Sequence, residues 1–399
     1  MKYIICIIDG ASDYKLEQLG GKTPLQVAKK PNIDFLASKG CCGLFKTIPE
    51  NFYTGSAVAN LSILGYDPKK YFHGRGVLEA AAMGVKLEEE DVAFRCNLIN
   101  VKNGKIKSHS AGHITTQEAK ILIETINKEL GNREINFYPG VSYRNLLVLR
   151  KNYSPEVECF PPHDYIEEDF EKLLPRGKTK SGEKTAELLR QLILKSKEIL
   201  ENHPVNMERE KNGKMKANLI WPWSGGKKPQ METFTERFNI KGAVISAVDL
   251  IKGLGVYCGF DIINVKGATG LYDTNYEGKA ESCVKGLEKY DLIYLHVEGA
   301  DEASHEGNVN LKIRCIEDFD RRLLGNILKK IDINKTSIAI LPDHPTPVEK
   351  RIHTTEPVPF LIYKPGIEPD KVMSFDEESC KLGKYGILTW KEFIYEFLK

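Results

Sequence analysis

Three aspartates and three histidines follow apolar runs in this chain, at positions where they can share metal ions. Ile4-Ile5-Cys6-Ile7-Ile8 leads into Asp9-Gly10. Leu292-Ile293-Tyr294-Leu295 leads through His296-Val297-Glu298-Gly299-Ala300 to Asp301, with His305 four residues on. Ile338-Ala339-Ile340-Leu341 leads into Asp343-His344, and His353 follows. Carboxylate and imidazole are common ligands of divalent cations, and a four-residue spacing puts Asp301 and His305 on one face of a helical turn. Consecutive Asp343 and His344 diverge, so they can serve two ions or one ion from two sides. Pro345 and Pro347 stiffen the loop behind them. Each piece alone has a plainer reading. Asp301 can be a helix cap, Asp9-Gly10 a turn, Asp343 an Asx turn and His353 a satisfied polar residue. The three clusters together point to two divalent cations side by side, and paired metals act chiefly at phosphorus.

A nucleophile is also present. Ser56 opens the segment Ala57-Val58-Ala59-Asn60-Leu61-Ser62-Ile63-Leu64, which stops at Gly65. That pattern predicts a short helix with Ser56 at its N-terminus, where free N–H groups favour anions. Such a serine also reads as a simple cap. A metal within reach lowers the pKa of its hydroxyl and makes it competent to attack. Thr54 is a weaker rival. His73-Gly74-Arg75-Gly76 brings a guanidinium onto a Gly-flanked segment, where Arg75 can clamp a phosphate or carboxylate. Further along, His109, His113, Arg144, His163 and Asp164 lie near turns, and each reads alone as an ordinary surface group.

These side chains need a scaffold. The apolar run at 4–8 has the continuous β-branched character of a strand buried on both faces. Thr23-Pro24 marks a helix start, and Pro31 interrupts the pattern after it. From about residue 92 the texture changes. Phe94 to Ser108 alternates around Asn103-Gly104, predicting a β-hairpin. A helix is expected at about 115–130 and a strand at Leu146–Leu149. Residues 166–200 read as a charged helix with Leu188, Leu189, Leu192 and Ile193 on one face. Strands are then expected at Asn218–Ile220, Ala243–Leu250, Ile262–Val265, Leu292–His296 and Ser337–Leu341. The alternation predicts an α/β fold: a mostly parallel, doubly wound sheet with an inserted α+β domain. The expected division is a metal-binding core from 1–85 and 175–399, and a capping module from 86–174. Ligands of such sheets collect at the C-terminal strand ends, where the Asp and His residues fall.

Composition narrows the functional classes. Lysine and arginine total 57 against 55 acidic residues. That balance speaks against nucleic-acid or membrane partners. The nine cysteines are scattered without a CxxC pair, which predicts buried thiols in the cytoplasm rather than a disulfide framework. No apolar run reaches membrane-spanning length, and no P-loop is present. The sequence says nothing of oligomeric state.

The same residues resemble a known family. Ile7-Ile8-Asp9-Gly10, Thr54-Gly55-Ser56 through Asp67-Pro68, Gly74-Arg75-Gly76-Val77-Leu78-Glu79-Ala80-Ala81, Ser110-Ala111-Gly112-His113-Ile114, Gly140-Val141-Ser142-Tyr143-Arg144, Lys241-Gly242-Ala243 through Asp249-Leu250, Glu298-Gly299-Ala300-Asp301 through His305, and Asp343-His344 occur in one order across nearly the whole chain. In this the chain resembles the archaeal-type, cofactor-independent (2,3-bisphosphoglycerate-independent) phosphoglycerate mutases of the alkaline phosphatase superfamily. The resemblance implies one cation held by Asp301, His305 and His353. It implies a second held by Asp9, Ser56, Asp343 and His344. Manganese is the first choice, with magnesium, cobalt or zinc as alternatives, and no 2,3-bisphosphoglycerate is needed. It implies that Ser56 carries the phosphoryl group between 3-phosphoglycerate and 2-phosphoglycerate, while the inserted module holds glycerate and excludes water. That requirement offers a use for Arg75, His109, His113, Arg144, His163 and Asp164, and Lys241 is a further candidate for the phosphoryl oxygens. Domain closure around the substrate is expected. The pattern departs at Ala57, where many relatives carry an acidic residue. Two related activities use the same ligands: a homoserine-kinase-like phosphotransferase and a metal-dependent phosphatase. A catalytically dead binding protein would have no reason to keep the full ligand set.

Overall fold

Ile4, Ile5, Cys6, Ile7 and Ile8 are all at most 1 % exposed, so the Lys2–Ile8 strand is covered on both faces, as its unbroken apolar run requires. The computed structural model describes residues 1–399. They divide into two compact units, residues 1–72 with 230–399, and residues 73–229.

The first unit is built on an eight-stranded sheet. In spatial order its strands are Asp261–Ile262, Gly242–Ile245, Leu292–Val297, Lys2–Ile8, Thr336–Leu341, Val358–Tyr363, Cys41–Phe45 and Ile387–Leu388. Lys2–Ile8 lies parallel to both neighbours, with Ile7 opposite His296 on one side and Leu341 on the other. Only Val358–Tyr363 runs against the rest. The α/β expectation of a mostly parallel sheet holds. Because the three central strands share a direction and register, Asp9, His296 and Asp343 emerge at one end. The Ala243–Leu250 strand is shorter than expected. It stops at Ile245, and Asp249 already opens a helix.

Gly10 makes the strand exit possible. Its φ is +63°, and an added Cβ would lie 2.4 Å from Asp301 Oδ1. A side chain there would be strained and would also collide with Asp301. The Gly10 N–H donates to Asp343 Oδ1 at 3.2 Å. The Asp-Gly pair is thus a turn that also brings two acidic clusters together.

The second unit is a five-stranded antiparallel sheet centred on Val92–Lys102, which pairs with Lys105–Ser108, Arg144–Leu149 and Leu219–Lys227; Ile135–Val141 extends the sheet beside Arg144–Leu149. Helices Thr116–Leu130 and Lys180–Glu201 belong to this unit. The hairpin around Asn103-Gly104 forms as expected. The unit is larger than the expected 86–174, because Leu219–Lys227 hydrogen-bonds along Val92–Lys102 and draws the segment before it into the same body. That long-range pairing leaves no composition signal. The 166–200 helix begins only at Lys180, since Pro175 cannot sit inside it.

Candidate metal and anion sites

Ser56 is the first residue of the Ser56–Ile63 helix, and its Oγ lies 3.1 Å from His344 Nε2. Asn60, one turn later, donates to the Ser56 carbonyl at 2.7 Å and to Asp343 Oδ2 at 3.0 Å. Tyr294 in turn donates to Asn60 Oδ1. A buried amide inside an apolar helix thereby ties the nucleophile candidate to an acidic ligand.

His344 Nε2 also lies 3.4 Å from Asp343 Oδ2 and 3.6 Å from Asp9 Oδ1. Its other nitrogen, Nδ1, is 3.1 Å from Thr346 Oγ1, which donates its single proton to Asp301 Oδ1 at 2.6 Å. Thr346 therefore accepts from Nδ1–H, and Nε2 is left as a lone pair facing Ser56, Asp9 and Asp343. The loop is anchored from below. Buried Lys312 donates to the carbonyls of Thr346 and Ser12 and to Asp13 Oδ2.

A second group surrounds Asp301. His305 Nε2 is 3.1 Å from Asp301 Oδ2 and 3.0 Å from His353 Nε2, and His353 Nε2 is 3.5 Å from Asp301 Oδ1. His305 Nδ1 donates to the Arg351 carbonyl at 2.9 Å. A carbonyl only accepts, so Nε2 again faces inward. His353, the least secure ligand by spacing, is brought fully into the cluster.

Electrostatics favour a cation here. Burial, then the charge of Asp343, pushes the Asp9 carboxyl well up. Burial resists ionisation of Asp301, but hydrogen bonds from His305 and His353 outweigh it and hold that carboxyl low. His305 is raised to about 9 by its hydrogen bond to Asp301. Burial lowers His344. Asp9 Oδ1 is buried without a hydrogen-bond partner. Buried carboxylates gathered with imidazole nitrogens fit divalent ions. The carboxylate and imidazole atoms of Asp301, His344 and His353 lie within 4.8 Å of one another, as do those of Asp9, His296 and Asp343. All seven expected ligand residues are therefore together, and His296 joins them. Sequence reasoning passed over His296, although a histidine inside an apolar strand was a visible signal.

Lys241 is a correction. It precedes Gly242–Ile245 at the N-terminal end of the sheet, where its N–H bonds Asp291 and its ammonium covers the Tyr290 ring. The ligands gather at the opposite strand ends, so Lys241 is not placed to meet phosphoryl oxygens.

The second unit holds a separate cationic cluster. The Arg75 and Arg95 guanidinium carbons lie 5.9 and 5.0 Å from the Trp223 ring centroid. His163 stands edge-on to Trp223 at 5.5 Å, His109 lies 6.1 Å from His163, and Tyr143 is 5.5 Å from His109. The backbone N–H of Arg75 donates to Ser224 Oγ. Arg95 is 8 % exposed and 3.3 Å from Glu79. Burial, and then the charges of His113 and Arg95, lower His109. His163 is lowered by burial, against the pull of Asp164 3.6 Å away. Arg144 and His113 are exposed members of the same surroundings. An excess of guanidinium around neutral imidazoles suits an anion. Arg95 was not singled out from the sequence, though it too sits in an apolar strand.

A profile of 2,3-bisphosphoglycerate-independent phosphoglycerate mutases matches residues 37–206. The chain is 50 % identical over 397 residues to a 2,3-bisphosphoglycerate-independent phosphoglycerate mutase of Methanosarcina barkeri, covering 99 % of this chain and 98 % of that one. It is 39 % identical over 389 residues to such a mutase of Methanocaldococcus jannaschii, covering 96 % and 93 %. Among solved structures, the cofactor-independent phosphoglycerate mutase of Thermoplasma acidophilum superposes with TM-score 0.70 at 30 % identity, covering 100 % and 99 %.

Proposed function

Given that the chain belongs to the 2,3-bisphosphoglycerate-independent phosphoglycerate mutases, a family of isomerases, we propose that it interconverts 3-phosphoglycerate and 2-phosphoglycerate through a phosphoserine at Ser56. The observation that carries this reading is the Ser56 hydroxyl 3.1 Å from His344 Nε2, at a helix start beside Asp9 and Asp343. One divalent cation would be held by Asp301, His305 and His353, and another by Asp9, Ser56, Asp343 and His344. When bound, such ions lower the pKa of the serine hydroxyl and neutralise charge on the phosphoryl oxygens. Manganese is the first choice of metal.

Ser56 Oγ attacks the phosphorus of 3-phosphoglycerate. The bond to the substrate's O3 breaks, and that oxygen leaves as the hydroxyl of glycerate. Glycerate reorients, its O2 attacks phosphoserine, and Ser56 is regenerated as 2-phosphoglycerate forms. Asn60 holds Asp343 and the Ser56 backbone in one geometry throughout. Released glycerate would leave the phosphoserine to water, so the chemistry needs a grip on the acid. The guanidinium groups of Arg75, Arg95 and Arg144, with the neutral imidazoles of His109 and His163 between them, suit a carboxylate, with His113 and Asp164 beside them. A place in cytoplasmic glycolysis and gluconeogenesis follows. The nine unpaired cysteines accord with a reducing compartment, and no helix is long and apolar enough to cross a membrane.

The test is direct. Metal-loaded protein is incubated with 3-phosphoglycerate without 2,3-bisphosphoglycerate, and 2-phosphoglycerate and free phosphate are followed. Formation of 2-phosphoglycerate is expected. Dominant release of phosphate would make the protein a phosphatase. No turnover, with ATP-dependent phosphorylation of homoserine instead, would make it a kinase.

A further inference from the structure

Asp9 presents its two oxygens to two different imidazoles. Oδ1 lies 3.6 Å from His344 Nε2, and Oδ2 lies 3.0 Å from His296 Nε2. The ligand sets proposed above use only the first of these. His296 is fully buried, yet its Nε2 has no hydrogen-bond partner, and neither has Asp9 Oδ1. An imidazole nitrogen that comes this close to a carboxylate without hydrogen bonding to it is aimed past it, not at it. The opposite ring nitrogen is occupied. Nδ1 lies 3.3 Å from Ser246 Oγ, an oxygen also held by the Val248 N–H. The Ser246 hydroxyl can accept from Nδ1–H as well as from Val248, and that tautomer presents Nε2 as a lone pair to the acid groups. Lys279 fixes the backbone beneath by donating to the His296 carbonyl at 3.1 Å. Asp343 completes the group: one ligand atom each from Asp9, His296 and Asp343 lies within 4.8 Å of the others.

His296 Nε2 and Asp9 Oδ1, both buried and both without a hydrogen-bond partner, converge with Asp343 on a point that a positive ion satisfies. A structural histidine would have turned Nε2–H onto Asp9. We infer that His296 is a direct ligand, through Nε2, of a divalent cation bound by Asp9 and Asp343. Asp9 then uses both carboxylate edges, one towards His344 and one towards His296. The inference rests on the cation reading of this centre but not on the identity of the substrate.

The test uses metal alone. Metal-free protein is titrated calorimetrically with Mn²⁺ as wild type, His296→Gln and His296→Leu. Loss of an outer-shell partner costs about 10–100-fold in metal affinity. A lost ligand is expected to exceed that range for one cation in His296→Leu while the other cation binds as before. Unchanged affinity for both would overturn the inference. A second measurement needs no folded variant. Wild-type protein carrying ¹⁵N-labelled histidine is loaded with ¹¹³Cd²⁺, and cadmium–nitrogen coupling is sought at each imidazole. Coupling at His296 Nε2 supports the inference, and coupling confined to His305, His344 and His353 overturns it. A protein that passes both tests but fails to interconvert phosphoglycerates upholds this site and sinks the mutase reading.

Discussion

The two units carry opposite electrostatic designs. In the first, Asp9, Asp301 and Asp343 are buried among imidazoles at the ends of parallel strands, and the unmet demand is for positive charge. In the second, Arg75 and Arg95 flank Trp223 beside His109 and His163, and the unmet demand is for negative charge. Under the proposed function, the first arrangement would cleave the phosphate ester, and the second would separate transfer from hydrolysis by retaining the acid that takes the phosphoryl group back. Reaction type and reaction outcome would then reside in different parts of the chain.

Breaking the first region should stop everything. Ser56→Ala is expected to lower both 2-phosphoglycerate formation and phosphate release by roughly 10³-fold or more, with metal content unchanged by elemental analysis. Normal turnover would remove Ser56 from the nucleophile's role. Asp343→Asn comes next. It leaves Asn60 and the Gly10 N–H facing an amide and should cost one bound cation per chain along with the activity.

Breaking the second region should change the outcome instead. Arg95→Leu is expected to weaken glycerate retention by about 10–100-fold, the worth of ~1.5–3 kcal/mol for a hydrogen bond to a charged group. Free phosphate should rise relative to 2-phosphoglycerate, and glycerate supplied in excess should restore the balance. If both products fell in proportion, the division of labour would be wrong.

The smallest effect concerns pH. In the metal-free protein His305 titrates at about 9, held protonated by its hydrogen bond to Asp301. Below that pH a cation must displace the proton, so affinity should rise with pH towards about 9 and then level. Calorimetry in buffers of different ionisation enthalpy should record proton release at pH 7 and less above pH 9. His305 also adds stability to the metal-free fold. Its folded value lies above the unfolded one, so that contribution is complete below about 6.5 and is lost as pH rises through about 9.

Much of the first region was legible because each ligand cluster ends an apolar run, and parallel strands deliver their C-terminal ends to one place. Asp9, Asp301, His305, Asp343 and His344 followed from that rule alone. His296, Arg95 and Asn60 did not, and for a shared reason. Each lies inside an apolar segment instead of at its end: His296 in Leu292–Val297, Arg95 in Val92–Lys102 and Asn60 in Ser56–Ile63. A polar group so embedded must find a buried partner, and that requirement was the available signal. Lys241 misled in the opposite way, since a cation next to a strand gives no hint of which sheet end it occupies. The true extent of the second unit depends on Leu219–Lys227 pairing with a strand far upstream, a contact that local pattern does not encode.

The central claim is that one covalent intermediate forms in the first region whatever becomes of the acid in the second. Metal-loaded wild type and Arg95→Leu are mixed with 3-phosphoglycerate, quenched in acid within a turnover, and digested for peptide mass analysis. The account predicts a phosphoryl group on Ser56 in both proteins, accompanied by 2-phosphoglycerate in the first and mainly by free phosphate in the second. A phosphoryl group on any other residue, or turnover with Ser56 unmodified throughout, would contradict it.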